Sequence, residues 1–347
     1  MIGWRMVAAS ATAFLVCMLA IPLFKRTAAR WRLIDDAGAD PLKIHSAPIP
    51  FVGGLGIVAG SLLSLLMIVS RLGEYSKGMV WILLLGLSAA ALGFCDDRFN
   101  VRPSLRLVVE IAIGWAFAVA GSVTGLFAGT LSRTADWDAS SYIAMILLVI
   151  FFVAGAINAI NMQDGMDGLA GGVALISCLG FAFVGLSLDQ FLIFALALSL
   201  GGSLAAFLIY NFHPASVFMG DNGSYFLGFM LAAMALISVS ASGNAMKLVG
   251  GALMIGAPVF DAAFAIIRRV ARGISPLAGD RSHFYDYLAK RGLPVRKVAL
   301  VSYALQTGFV SLGAFILVKL KNESIFLHRT WAARSLNLSK RRSPRTG

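Results

Sequence analysis

The stretch NAINMQDGMDGLAGG, residues 158–172, concentrates polar side chains between two long apolar runs. Four amide and carboxyl groups recur there at every third residue: Asn158, Asn161, Asp164 and Asp167. Nine residues of continuous α-helix turn the chain by about 900°, which places Asn158 and Asp167 on opposite sides. The four groups reach one site only if the helix ends or tightens near Asp164-Gly165, and glycine permits such a break.

Two further short segments, DDRFN (96–100) and MGDNG (219–223), also carry acids. A single acid at a helix end is explained by capping or by solvation, and the asparagines could simply join helices by hydrogen bonds. Grouped carboxylates repel one another unless a cation or substrate group offsets their charge. The clusters therefore predict a hard, oxygen-ligated metal ion with phosphate oxygens among its ligands. We expect this ion to be Mg²⁺, for which Mn²⁺ can substitute.

The elements that must position these groups are membrane helices. The chain has 347 residues, of which 59% are hydrophobic and 13% charged, and its mean hydropathy is +0.82. Such a balance, with apolar runs of about twenty residues, is typical of a polytopic integral membrane protein. Ten runs recur along the chain: 6–24, 52–70, 79–95, 105–128, 141–160, 168–187, 190–210, 223–241, 246–267 and 298–318.

We therefore predict an all-α fold with about ten, or eleven, transmembrane helices. The first run ends in IPLFKR without a small-residue cleavage site, so it is predicted to be a retained helix and not a signal peptide. Residues 1–320 are predicted to form a single transmembrane catalytic domain, followed by a basic tail over 321–347.

Basic residues are distributed unevenly between the two sides of this arrangement. With ten helices, the connections on one side carry 16 Lys and Arg, whereas those on the other side and the N-terminus carry five. The rich side is predicted to be cytoplasmic, and the acid clusters fall on it. The net charge of +12 therefore indicates membrane topology and not nucleic-acid binding. Eight more basic residues lie after residue 318. Either the number of helices differs by one, which moves this tail to the cytoplasmic side, or the tail has a weak influence on topology.

The opening segment closely resembles the NxxNxxDGxDGLA signature of the polyprenyl-phosphate N-acetylhexosaminyl-1-phosphate transferases. Four more blocks are similar to those of that family and occur in the same order. They are KIHSAPIPFVGG (43–54), GFCDDRFNVRP (93–103), YNFHPASVFMGDNGSYFLGF (210–229) and ISPLAGDRSHFYDYL (274–288). The resemblance covers about residues 10 to 320.

The resemblance implies transfer of a sugar 1-phosphate from a UDP-N-acetylhexosamine to undecaprenyl or another polyprenyl phosphate, with release of UMP. It implies the first step of a cell-surface glycan in a bacterial inner membrane, with the two substrates and membrane lipids as partners; a homodimer is left open. Asp96 is expected to deprotonate the acceptor phosphate with help from Asp97, because adjacent carboxylates suit proton transfer. Asp221 is expected to bind the metal. The groups expected to bind substrate are Lys43, His45, Asn158, Asn161, Asp164, Asp167, Asn211, Phe218, Arg281 and His283.

The last block departs from the HxHH pattern of many members, because Tyr285 and Asp286 follow His283 at the other two positions. This departure predicts an altered sugar preference, with the Tyr285 hydroxyl and ring available to the sugar. Glu110 and Asp261 lie in predicted helices, where an acid is a candidate functional group. Since both are near helix ends, pairing with other side chains or a place at the interface explains them equally well.

Two other functions are compatible with the sequence. A secondary transporter would use the acids as an ion pathway, but transporters usually place such groups near the bilayer midplane and in repeated halves. A catalytically inactive member of the family could instead act as a membrane scaffold. Release of UMP separates an enzyme from both.

Overall fold

The computed structural model describes residues 2–35, 48–69, 76–127, 139–239, 245–273, 275 and 283–341. These residues form twelve helices and one pair of two-residue strands. The first helices are α1 (Ile2–Trp31), α2 (Gly53–Val69), α3 (Ser76–Phe99), α4 (Pro103–Thr124), α5 (Ala139–Gln163) and α6 (Leu169–Ser187). The remaining helices are α7 (Phe191–Asn211), α8 (Asp221–Val239), α9 (Ala245–Leu253), α10 (Gly256–Ala271), α11 (Phe284–Lys290) and α12 (Val295–Arg341). Strand β1 (Ile34–Asp35) pairs antiparallel with β2 (Ile49–Pro50).

The predicted all-α polytopic membrane fold is confirmed. Within the described ranges, eight helices are long and apolar enough to cross a membrane, and the bent pair α9–α10 makes a ninth. Helix α2 is apolar but only 17 residues long. Each of the ten predicted apolar runs coincides with a helix or with this pair, and the number of crossings stays a prediction. Helix α12 continues through residue 320 to Arg341, and the division of the chain at residue 320 also stays a prediction.

Helix α8 lies at the centre of the bundle and is buried along its whole apolar length. It packs against α3, α5 and α2. Small residues allow this approach, as is usual between membrane helices. A Cβ atom at Gly93 of α3 would lie 2.2 Å from the carbonyl oxygen of Asp221, and one at Gly54 of α2 would lie 2.3 Å from the Cα of Gly223. The first turn of α8 is therefore fixed by backbone contact with two other helices.

Helices α9 and α10 meet at an angle of 93°, which interrupts the helical hydrogen bonds of the backbone. Gln306 of α12 compensates for this interruption. Its Nε2 donates to the carbonyl oxygen of Met254 and to Ser177 Oγ, both at 2.9 Å, and its Oε1 accepts from the N–H of Ala257 at 2.9 Å. Backbone groups freed inside a membrane require such partners.

Candidate active site

The predicted break in the NAINMQDGMDGLAGG segment is confirmed. Helix α5 ends at Gln163 and α6 begins at Leu169, and the five residues between them form turns. Gly168 has φ +73°, a left-handed conformation that glycine adopts without steric cost. The break points Asp164 and Asp167 into a common cavity with residues from α3 and α8.

This cavity has a volume of about 880 Å³ and lies where the ends of α1, α3, α5, α7 and α8 meet. All five acids of the three sequence clusters line it: Asp96, Asp97, Asp164, Asp167 and Asp221. Asp35 of β1 is a sixth carboxylate in the lining. The structure thus brings together acids that are as far as 186 positions apart in the chain.

Asp97 binds the N-terminus of α8. Its Oδ1 accepts from the N–H of Asp221 at 2.8 Å, and its Oδ2 accepts from the N–H and the Nδ2 of Asn222 at 3.0 and 2.7 Å. The first N–H groups of a helix have no partner within the helix, and the helix dipole favours an anion beside them. Asp97 of α3 therefore performs the task of a capping residue for α8.

Asp96 is buried at the edge of the same cavity and binds a different set of partners. Its Oδ1 accepts from the N–H of Val101 at 2.9 Å, and its Oδ2 accepts from the Tyr225 hydroxyl at 2.8 Å and forms an ion pair with Arg106. Three donors thus hold this carboxylate in place. The expected role of Asp96 as the base for the acceptor phosphate stays a prediction, and these contacts also give it a positioning role.

The two asparagines of the segment have different partners. Asn161 Nδ2 donates to Asp221 Oδ1 at 2.6 Å and to Ser224 Oγ at 3.1 Å. Asn158, one α-helical turn away, donates to the carboxylate of the buried Glu110 on α4. Asn161 therefore orients a carboxylate that lines the cavity, whereas the Asn158 side chain is bound behind it.

Asp164 differs from its neighbours because no hydrogen-bond donor from the described residues reaches its carboxylate. Burial raises the pKa of Asp164 well above the usual 3.8, and the negative charges of Asp221, Asp97 and Asp167 raise it further. A carboxylate that is desolvated, unpaired and close to other acids binds either a proton or a cation.

The carboxylates of the cavity fit Mg²⁺ provided that a phosphate ligand shares the ion. Within the described ranges, no three His, Cys, Asp or Glu side chains lie close enough to hold a metal ion by themselves. Mg²⁺ is commonly bound by one or two carboxylates, with waters and substrate phosphates completing its shell. Asp164 and Asp221 can supply the protein's share of such a shell, so the residues present fit an ion that is shared with a phosphate ligand.

Asp167 and Asn211 organise the loop between α7 and α8. Asp167 Oδ2 accepts from the N–H of Ala215 at 3.0 Å and lies 2.7 Å from His213 Nδ1. Asn211 is buried; its Oδ1 accepts from the N–H of Gly168 and its Nδ2 donates to the carbonyl of Val217, both at 3.0 Å. Both side chains already bind other parts of the protein. Their direct contact with the nucleotide stays a prediction.

Phe218 lines the cavity, where a ring can stack on a base, and uracil contact stays a prediction. His283 lies outside the cavity lining: it is buried, and its Nδ1 is 3.1 Å from Asp261 Oδ2. Lys43, His45 and Arg281 fall outside the described residues, and their roles stay predictions.

Tyr285 is buried beside His283 and is not available to a sugar in this arrangement. The two rings stack with centroids 5.4 Å apart, and the Tyr285 hydroxyl donates to the carbonyl of Met162 at 3.0 Å. A Cβ atom at Gly165 would lie 2.3 Å from this hydroxyl. Helix α11 therefore supports the Asp164–Asp167 turn from behind.

Several members of the site were not predicted from the sequence, and two acids were predicted to pair without their partners being named. Arg106 and Tyr225, which bind Asp96, and His213, which binds Asp167, were not singled out. His213 lies inside the matched NFHPAS block, and the adjoining proline and the following acid cluster were the signal that could have marked it. Glu110 and Asp261 were expected to pair with other side chains or to lie at the interface, and they bind Asn158 and His283.

Comparison with known proteins identifies the family. Residues 79–239 match the model of Glycosyl transferase family 4. The chain is 31% identical to a Bacillus subtilis (strain 168) protein named probable undecaprenyl-phosphate N-acetylglucosaminyl 1-phosphate transferase, over 93% of this chain and 87% of the relative.

Two further relatives agree with this match. A decaprenyl-phosphate N-acetylglucosaminephosphotransferase of Mycobacterium leprae (strain TN) is 32% identical, over 78% of this chain and 74% of the relative. A phospho-N-acetylmuramoyl-pentapeptide-transferase of Geobacillus kaustophilus (strain HTA426) is 27% identical, over 89% of this chain and 97% of the relative. The chain therefore belongs to glycosyl transferase family 4 and is a sugar-phosphate transferase.

Proposed function

We propose that the protein transfers N-acetylhexosamine 1-phosphate from a UDP-sugar to undecaprenyl phosphate or a related polyprenyl phosphate. An oxygen of the acceptor phosphate attacks the phosphorus that carries the sugar. The bond from this phosphorus to the oxygen shared with UMP breaks, and UMP leaves with the electron pair. The product is a polyprenyl diphosphate sugar, and no oxidant or reductant is required.

The observation that carries this proposal is the carboxylate of Asp164, which receives no hydrogen bond from a described residue and lies in a cavity lined by five other acids. Two phosphate-bearing substrates cannot approach such a cavity unless a cation offsets the negative charge. A Mg²⁺ ion held by Asp221 and Asp164 would stabilise the charge on the phosphate oxygens. The names of the relatives support polyprenyl phosphate as the acceptor and N-acetylglucosamine as the sugar of the donor.

The protein's own residues orient this machinery. Asp97 holds the first turn of α8, and Asn161 holds the carboxylate of Asp221 on that turn. Asp96 faces the cavity from a position fixed by Arg106 and accepts the acceptor's proton in this proposal. Phe218 offers a ring to the uracil. These groups are set before substrate arrives, which lowers the cost of reorganisation during the reaction.

The cellular setting follows the same proposal. The site faces the cytoplasm, where nucleotide sugars are available, in the inner membrane of a bacterium. The lipid-linked sugar begins a cell-surface glycan such as an O-antigen or an exopolysaccharide. Its polyprenyl chain lies in the bilayer and its phosphate at the membrane surface, next to the helix ends that carry the acids.

Release of UMP tests the proposal. Purified protein in detergent is incubated with undecaprenyl phosphate, Mg²⁺ and a panel of UDP-sugars that includes N-acetylglucosamine, N-acetylgalactosamine and deoxy derivatives. We expect UMP and a lipid-linked sugar to form in equal amounts with at least one donor, and neither to form without the lipid or with Asp221→Asn.

The same assay separates the alternatives. An inactive scaffold would bind lipid without releasing UMP from any donor. A transporter would release no UMP but would move solute into proteoliposomes. The acids lie at the ends of helices and not at their middles, which favours the enzyme over the transporter.

A further inference from the structure

The cavity lining is strongly one-sided in charge. Among the described residues that line it, six are aspartates and only one is a lysine or arginine, Lys25. A metal ion near Asp164 and Asp221 can offset charge on one flank only. The substrates of the proposed reaction carry phosphate in two places, so a second positive flank is required.

Two groups suited to that flank meet at the loop over residues 212–216. Lys25, six residues before the last residue of α1, donates from Nζ to the carbonyl oxygen of Ser216 at 3.3 Å. A lysine ammonium has three donors, and among the described residues only Ser216 accepts from it, so two donors are open to a ligand. His213 lies in the same loop and lines the same cavity. Helix α1 and this loop thus place an ammonium and an imidazole at the edge of an otherwise acidic cavity.

His213 is held in one orientation. Asp167 Oδ2 lies 2.7 Å from its Nδ1, and the guanidinium of Arg296 donates to its carbonyl oxygen at 2.9 and 3.1 Å. Asp167 also accepts from the N–H of Ala215. With Nδ1 engaged, Nε2 is the ring nitrogen that no described residue binds, and 41% of the side chain is exposed. Because these contacts already fix the ring, little conformational entropy is lost when a ligand binds to it.

We propose that Lys25 and His213 form a phosphate-binding flank of the cavity, which holds a substrate phosphate between the Lys25 ammonium and the Nε2 edge of the His213 ring. This proposal rests on the proposed transferase function. The phosphate belongs either to the polyprenyl acceptor or to the diphosphate of the UDP-sugar, since both present the same oxygens. Asp167 and Arg296 are positioning residues in this arrangement, because they act through His213.

Steady-state kinetics with each substrate varied in turn test the flank. The variants are Lys25→Met, which keeps the apolar stem, Lys25→Arg, which restores the charge, and His213→Gln, which keeps the size of the side chain. Arg26→Met is the matched control, because Arg26 is the neighbouring exposed cation and does not line the cavity. Melting temperatures are measured for all four variants.

We expect Lys25→Met and His213→Gln to raise the KM of one substrate by about tenfold to a hundredfold, as loss of a charge-assisted hydrogen bond does. The KM of the other substrate should stay within about twofold of wild type. The melting temperature should stay within about 2 °C of wild type. Lys25→Arg should recover most of the loss, and Arg26→Met should show none. A raised KM for polyprenyl phosphate assigns the flank to the acceptor, and a raised KM for the UDP-sugar assigns it to the donor.

The proposal is overturned if both KM values of a folded Lys25→Met protein stay within about twofold of wild type, or if Arg26→Met changes them equally. Failure of the transferase function is a different result, namely absence of UMP release by the wild type. Direct binding of undecaprenyl phosphate, compared with uncharged undecaprenol, and of UDP-N-acetylglucosamine then tests the flank without turnover. Weaker phosphate binding by Lys25→Met supports it, and unchanged binding of both phosphates overturns it.

Discussion

Asn161 Nδ2 donates a hydrogen bond of 2.6 Å to Asp221 Oδ1, which joins the last turn of α5 to the first residue of α8. The same amide reaches Ser224 Oγ at 3.1 Å. An amide held by two partners on α8 fixes the distance between the two helices at the depth of the acids. The asparagine thereby makes the position of Asp221 depend on the helix that also leads into Asp164.

Asp221→Asn tests the assignment of this carboxylate to the metal. We expect turnover at limiting Mg²⁺ to fall by on the order of a hundredfold or more, because a neutral amide is a poor ligand for a hard cation. The variant should insert and fold, since Asn can still accept from Asn161. Asp189→Asn, in the α6–α7 loop outside the cavity lining, is the matched control. Activity of Asp221→Asn within a few-fold of wild type would refute the assignment.

Asp96→Asn and Asp97→Asn are expected to differ in their effect on the rate. Removal of a general base costs about 10²–10⁴ in rate, which is the expectation for Asp96→Asn. Asp97→Asn should also lower the free energy of unfolding by about 1–3 kcal/mol, because an amide cannot accept from both N–H groups at the start of α8. Initial rates and chemical denaturation measure the two effects. If Asp96→Asn lost less than tenfold while Asp97→Asn lost all activity, the two roles would be exchanged.

The raised pKa of Asp164 predicts that the stability of the metal-free protein falls as pH rises. The folded protein holds this proton more tightly than the unfolded chain, where the pKa is near 3.8. The stability contributed by the neutral carboxyl is therefore complete below about pH 4 and is lost as pH rises through the folded-state pKa. A divalent cation must displace the proton, so its affinity rises over the same range.

Melting temperatures without divalent cations, measured across this pH range, check the sign. Wild type should lose stability as pH rises, and Asp164→Asn should lack that part of the slope and melt above wild type at neutral pH. Mg²⁺ should raise the melting temperature of wild type more than that of the variant. Parallel pH profiles for the two proteins would contradict the assignment of the proton to Asp164.

Tyr285→Phe removes the hydroxyl that binds the carbonyl of Met162, behind the acidic turn. We expect a loss of about 0.5–1.5 kcal/mol in stability, together with a higher Mg²⁺ concentration for half-maximal activity, because the Asp164 turn loses its support. Tyr210→Phe is the control, since its hydroxyl makes a bond of the same kind to the carbonyl of Met18 at 2.9 Å. Equal shifts of the Mg²⁺ requirement in both variants would show that Tyr285 has no particular role.

The helices and the break at Asp164 were predictable because both depend on local properties of the sequence. An apolar run of sufficient length forms a membrane helix wherever it lies, and glycines after Asp164 permit the chain to turn. The partners of each acid were not predictable in the same way. Asp97 and Asn222, or Asp167 and His213, meet only because of helix packing that no short window of residues encodes. The buried placement of Tyr285 shows the same limit, since its residue type alone suggested a group open to the sugar.

The bond between Asp97 and the start of α8 also constrains how the protein is made. Asp97 leaves the ribosome 124 residues ahead of Asp221, a delay of roughly 6 to 25 s at ordinary rates of synthesis. During that interval its carboxylate has none of its donors on α8. Its place near the end of α3, three residues from Asn100 where the helix stops, lets water solvate the charge while α4 to α7 enter the bilayer. The site is therefore assembled late, when α8 is inserted among helices that are already in the membrane.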